Sequence, residues 1–294
     1  MKQRIDFRDQ IVRNKRRSVF LMFSVFVILV LLGYVISLAF SPAYFFLIMI
    51  IAIIFSISYI LISYYNSHKI AIASVGATKA YKDDYKQYHN LVEGLTLASG
   101  LPKPELYIMH SKQINAFASG RDPQHAVVCV TEGALEKLDK NELEAVLAHE
   151  LGHIASYDMR YMTLVAVMVG MVAIISQIFL RSLWFSGGGG SNDKSKAIFI
   201  LIGIVLAIIA PLVVYLVQMS ISRKREFVAD ASAVKFTRYP DGLIRALKKI
   251  KVDNTPPEKK VSKAVAPLFI SNPFGGLSST HPPIEKRIQA LERM

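Results

Sequence analysis

Cysteine is almost absent. One residue of 294, Cys129, carries a thiol, so no intramolecular disulfide can form and a reducing cytoplasmic setting is compatible with the chain. Its neighbours in "AVVCV" mark it as a small buried strand residue. Acidic residues are few as well: 22 Asp and Glu face 35 Lys and Arg, a net charge of +13. Such an excess suits nucleic acid or an anionic membrane. Recognition motifs for nucleic acid are missing, however, and the basic residues collect at the edges of apolar runs. Nucleic acid is therefore not expected as a partner, and the lipid bilayer is.

Polar residues are scarce in four stretches: Ser18–Phe40, Pro42–Ser63, Tyr161–Leu180 and Ala197–Met219. At about 1.5 Å per residue each covers roughly 30 Å of hydrocarbon. With 52% hydrophobic residues, this is a membrane composition rather than that of two soluble domains. Ser176, Gln177 and Pro211 interrupt the second pair, and Pro211 should kink its helix, which neighbouring helices in a membrane tolerate. The first run is too long for a signal-peptide core and is followed at once by a second span after Ser41-Pro42, so a retained hairpin is expected.

Seven Lys or Arg lie in the first 17 residues, and Arg223, Lys224 and Arg225 follow the fourth run. The positive-inside rule then places both termini and segment 66–160 in the cytoplasm, in a multi-pass protein of a bacterial-type plasma membrane. The expected layout is a basic start and first hairpin over 1–65, a cytoplasmic segment over 66–160, a second hairpin over 161–219 and a second cytoplasmic segment over 220–294. The two cytoplasmic pieces, about 170 residues together, suffice for one core. The fold class is thus a mainly α integral membrane protein, with four transmembrane helices and one cytoplasmic α+β domain assembled from two chain segments.

In the first piece, Tyr85, Tyr88, Leu91, Val92 and Leu95 have helical spacing, and Gly100 with Pro102 stops the helix. "ELYIMH", "INAFA" and "AVVCVT" read as strands, the last two joined through the turn "SGRDPQH". Then "LDKNELEAVLAHELGHIASYD" reads as a helix. Asp139 and Glu142 can cap it, and Leu143, Val146, Leu147, Leu151 and Ile154 form an apolar stripe. His149 and His153 stand one turn apart on one side, with Glu150 beside them. Two imidazoles on one cation, an open position for water and a carboxylate to take its proton are what metal-assisted hydrolysis requires. Chance occurrence of H-E-x-x-H in a chain with 7 histidines is on the order of 1%.

Beyond the fourth run, "SRKREFVADASAVKF" puts Glu226 and Asp230 on one helical face. If both flanking helices leave the membrane straight, His153 and Glu226 stand level, roughly 10 to 12 Å above the apolar boundary. Glu226 would be the third ligand, and Asp230 would accept a proton from the far nitrogen of a ligand histidine. The alternative for Glu226 is an ion pair with Arg223 or Arg225.

HELGH, a transmembrane pair and E-F-V-A-D, with "NAFASG" before and "STHPP" and an arginine after, resembles the HtpX heat-shock metalloproteases, gluzincin relatives of the CAAX prenyl proteases. The likeness covers nearly the whole chain. It implies a zincin-like domain with one zinc ion per chain on His149, His153 and Glu226, Glu150 as general base and Asp230 behind a ligand. It implies that Asn115, Ala116, Phe117 and Ala118 pair with an extended peptide, and that His281 and Arg287 stabilise the oxyanion. Read alone, His281 could equally open a helix before Pro282 and Pro283, and Arg287 could be a solvated charge.

The leading reading is a membrane-anchored zinc endopeptidase that cuts cytoplasmic regions of misfolded or damaged membrane proteins and unfolded polypeptides, in partnership with other membrane quality-control proteases. A site-2-type intramembrane protease would carry its motif inside a span, whereas Asn141, Glu142, Glu144, Asp158 and Arg160 surround this one. A metal-dependent sensor or scaffold has no need of Glu150, and a prenyl-protein protease has more spans. The stretch Asp253–Ser279 is expected to be lid-like.

Overall fold

Nothing in Phe7–Leu38 breaks a helix: the stretch lacks proline, holds a single glycine and forms α1 over its whole length. Phe45–Ser74 holds neither residue and forms α2, which stops just before Gly76 takes a left-handed φ of 62°. The structure, a computed structural model, describes residues 7–38, 42–168, 223–253, 255, 265–271 and 282–294. Among these, two helices are long and apolar enough to cross a membrane, over Asp9–Tyr34 and Pro42–Ser74. α1 begins well before the apolar limits 18–40 read from sequence, and α2 ends well past the limits 42–63. Hydropathy marks where hydrocarbon ends, whereas a helix can run on through the polar and charged residues beyond it.

The hairpin closes at Gly33, where a β-carbon would collide with that of Ala52; small residues let helix backbones approach closely in this way. Phe20, Phe23, Phe46, Ile50 and Ile54 stay exposed on the outer faces, which suits lipid tails and not water. Residues 158–168 form α6. Its Tyr161, Leu164 and Val165 pack on Leu21, Val25 and Leu29 of α1 and on Tyr59 of α2. The Tyr59 hydroxyl donates to the Met168 carbonyl at 3.1 Å. Only the first turns of the expected span 161–180 are thus described, and the expected span 197–219 lies outside the described residues.

Above the hairpin sits a four-stranded sheet: β1 (Thr78–Lys79), β2 (Glu105–Met109), β3 (Ala116–Gly120) and β4 (Ala126–Thr131), in the order β1-β2-β4-β3. β2 and β4 run parallel, with Leu106 opposite Val128, and β3 returns antiparallel to β4, with Phe117 opposite Cys129. Cys129 is buried. On one face lie α3 (Lys86–Ser99), closed by Gly100 at φ 72°, then α4 (Glu132–Lys137) and α5 (Lys140–Ser156). The later segment adds α7 (Arg223–Thr237), α8 (Pro240–Val252) and α9 (Ile284–Leu291). One core draws on both segments: Leu91, Ile108, Val128, Leu147 and Leu151 share it with Leu243, Leu247 and Leu291. The Tyr88 hydroxyl fastens α3 to β4 by donating to the Val128 carbonyl at 3.0 Å.

Candidate metal centre

α5 is fixed at its start by reciprocal capping. The Asp139 carboxylate accepts from the amides of Asn141 and Glu142, both at 2.9 Å, and Glu142 accepts from the Asp139 amide at 2.8 Å. Lys249 of α8 donates to the same Glu142 at 2.7 Å. The helix then runs through the core with His149, Glu150 and His153 all buried. α7 crosses it at Gly152. A β-carbon there would stand 3.1 Å from the Ala229 Cα and 3.0 Å from the Ser232 Cβ. The two backbones nearly touch, so Glu226 and Asp230, either side of Ala229, reach the two histidines.

His149 Nε2 and His153 Nε2 face each other at 3.1 Å. Glu226 approaches them with Oε2 at 3.6 Å and Oε1 at 3.7 Å respectively. Among the described residues these three form the cluster that could hold a metal ion, one ligand atom from each lying within 4.8 Å of the others. Behind it, His149 Nδ1 lies 2.9 Å from Asp230 Oδ1, and His153 Nδ1 lies 3.0 Å from both oxygens of Asp158. A carboxylate at Nδ1 holds the proton there and leaves the Nε2 lone pair for a cation.

Asp158 is the residue that sequence reading missed. α5 does not continue straight towards the membrane, as expected, but breaks at Tyr157, whose φ of 59° brings Asp158 back to His153. A left-handed tyrosine has no sequence signature of the kind glycine gives.

Neither buried Glu150 oxygen makes a hydrogen bond of good geometry, and burial pushes the carboxyl up to about 7, against the pull of His153 and of the Ala118 amide. Burial by itself would lower His153, but the Asp158 carboxylate overrides it and raises the imidazole. Burial, and then Arg287, lower His149. Asp230 goes the other way: burial works to raise it, yet the Arg287 guanidinium holds it well below the usual carboxylate range.

Arg287 lies under the site on α9, fully buried. Its Nε and Nη2 donate to the two oxygens of Asp230 at 2.9 and 2.6 Å, and Nη1 stands 3.3 Å from Glu226 Oε2. Its fork is engaged with carboxylates. His281 lies outside the described residues. Asn115 and β3 run beside α5, and the outer edge of β3 carries another part of the chain. Phe117 bridges to Phe269, the Ile270 amide donates to the Ala116 carbonyl at 2.9 Å, and Asn115 Nδ2 donates to the Ser271 carbonyl at 3.0 Å. Within the stretch expected to be lid-like, Ala266–Leu268 thus form a 3₁₀ turn and residues 269–271 bridge to β3, where Leu268, Phe269 and Ile270 bury apolar surface against the sheet.

Two imidazoles and a carboxylate, with the buried Glu150 carboxylate beside them, fit a divalent metal ion that takes three protein ligands. Residues 82–294 match the family described as Peptidase family M48. The Protease HtpX homolog of Caldanaerobacter subterraneus subsp. tengcongensis is 46% identical over 248 residues, 82% of this chain and 83% of that protein. The Protease HtpX homolog of Dictyoglomus thermophilum is 40% identical over 292 residues, 98% of this chain and 95% of that protein. Among solved structures, the crystal structure of S. mikatae Ste24p is 20% identical with a TM-score of 0.47, covering 95% of this chain and 65% of that one.

Proposed function

Since this chain belongs to peptidase family M48 and is a membrane metalloprotease, we propose that its metal is zinc and its substrates are cytoplasmic regions of misfolded or damaged membrane proteins and unfolded polypeptides. The observation that carries this reading is Glu150: a buried carboxylate beside two Nε2 atoms that converge at 3.1 Å. His149, His153 and Glu226 would hold the zinc, which would supply a Lewis acid to acidify water and polarise a peptide carbonyl. Glu150, poised near neutrality at about 7, takes the proton from water and returns it to the leaving amine. Asp230 and Asp158 hold the tautomers of His149 and His153.

His281 is the candidate donor to the oxyanion, a role that rests on the resemblance alone. Arg287, assigned there by the same resemblance, is better read as a positioning residue, since its donors grip Asp230 and Glu226. Asn115–Ala118 would take an extended peptide on the outer edge of β3 in place of residues 269–271. A strand-adding site requires unfolded chain, which favours damaged substrates over folded ones. Basic flanks support a multi-pass placement in a bacterial-type plasma membrane with this site in the cytoplasm. The metal cluster stands between α5, α7 and the sheet rather than within an apolar span, which disfavours intramembrane cleavage.

The test is cleavage of an unfolded soluble protein and of a destabilised membrane protein by zinc-loaded wild type and Glu150→Gln, purified side by side in detergent. Fragments are expected from wild type alone. No fragments from either, with zinc bound in both, would overturn the reading.

A further inference from the structure

Outside the metal centre, the basic residues at the start of α1 and α7 surround a cavity of about 200 Å³, lined by Gln10, Arg13, Asn14, Arg17, Lys224, Arg225 and Val228. Four of these seven carry positive charge. Arg13 and Arg17 are exposed, whereas Arg225 is 7% exposed and its Nε, Nη1 and Nη2 are all buried without a hydrogen-bond acceptor. Its aromatic neighbour is the Tyr161 ring, 5.6 Å away. The nearby carboxylates have other work: Asp158 faces His153, and Glu226 faces the histidines and Arg287. A buried guanidinium with no acceptor is strongly unfavourable unless an anion completes it.

Position says which anion. Directly after Arg17 the chain enters the apolar part of α1, where Val19, Phe20 and Phe23 are exposed. Arg13 and Arg17 also line a second, more open cavity with Asp9, Val12, Arg16 and Phe20, so the basic cavity adjoins apolar surface. This is the depth of a headgroup with its acyl chains running down the helix. Phosphate oxygens match the guanidinium forks in geometry as well as in charge.

We propose that this cavity binds the phosphate of an anionic phospholipid and thereby ties α1 to α7. The tie reaches the metal helices. Asn14 donates to the Ser156 carbonyl at the end of α5 at 3.0 Å, and Arg225 directly precedes Glu226.

The test uses the full chain purified in neutral detergent, with native mass spectrometry to count bound lipid. Phosphatidylglycerol is titrated against phosphatidylcholine with the same acyl chains, and inorganic phosphate serves as the free-anion arm. Saturable retention of phosphatidylglycerol over phosphatidylcholine is expected. It should weaken at least about tenfold, a factor ten in Kd, in Arg225→Gln and in the double variant Arg13→Gln/Arg17→Gln, but not in Lys248→Gln on the exposed face of α8. Phosphate that binds with the same variant dependence while phosphatidylglycerol has no advantage would assign the site to a free anion and overturn the lipid. Absence of binding by both probes, or binding indifferent to these variants, would overturn the site altogether. Should Arg225→Gln fail to fold, the exposed Arg13/Arg17 pair decides.

Discussion

If a peptide must add to β3, residues 269–271 must first leave it, and Phe269 is the residue that holds them there. Its side chain is 2% exposed and its ring lies 5.0 Å from that of Phe117, tilted by 59°. Truncating a buried phenylalanine to alanine removes about 3 to 5 kcal/mol of packing. Taking about 3 kcal/mol as the share lost from docking of this segment, the fraction of molecules with an open edge rises about 100-fold at roughly 1.4 kcal/mol per decade. The apparent KM for an unfolded protein substrate should fall towards that limit in Phe269→Ala, and kcat should change less than KM, because the contact to the metal site that an open edge gives up is the 3.4 Å donation from Arg287 Nη1 to the Ile270 carbonyl. The assay is steady-state cleavage over a range of substrate concentrations, paired with amide hydrogen exchange at Ala116–Ala118. A folded Phe269→Ala protein whose KM is unchanged or higher, with exchange at β3 no faster, would refute the argument that this segment competes with substrate.

Three further outcomes follow from the same geometry. Glu226→Ala should lose bound metal together with activity; undiminished zinc content by atomic emission would remove Glu226 from the ligand set. Asp158→Asn should lower metal affinity about 10- to 100-fold, the usual effect of removing a carboxylate that orients a ligand histidine, measured by competition with a chromogenic chelator. Gly152→Ala puts a β-carbon 3.0 to 3.2 Å from Ser232 and Ala229 and must push α7 from α5, so metal affinity and Tm should fall together by about 1 to 3 kcal/mol of destabilisation; a variant with wild-type metal content and Tm would show that the crossing tolerates the shift.

What the sequence made legible is local. The caps and histidine spacing of α5 lie within one helix, and the helical period alone puts Asp139 beside Glu142 and His149 beside His153. The helix of Tyr88 to Leu95 and the strands of β2, β3 and β4 are legible for the same reason. Glu226 and Asp230 read as a pair on one face, but their meeting with the histidines depends on Gly152 lying opposite Ala229, a tertiary contact. Asp158 was missed because its return to His153 needs a positive φ at a tyrosine. The fork of Arg287 on Asp230 joins residues 57 apart in sequence, which no local pattern reports. Asp253–Ser279 reads as lid-like because the partner of residues 269–271 within it is the edge of a strand some 150 residues earlier.

The first turn of α7 joins the two charged places in the molecule. Consecutive residues on a helix point about 100° apart, so Arg225 and Glu226 send opposite charges in different directions. Glu226 turns to α5, where Glu150, Asp230 and Asp158 already crowd two imidazoles, and a cation is what relieves that crowding. Arg225 turns to α1, where Arg13, Arg17 and Lys224 gather without a carboxylate among the lining residues, and an anion is what relieves that. Neither charge could be buried so deeply unless completed. A rotation of α7 large enough to withdraw Glu226 from the histidines would also turn Arg225 in its cavity. The membrane end of the protein and its metal end are therefore held in register by one helical turn.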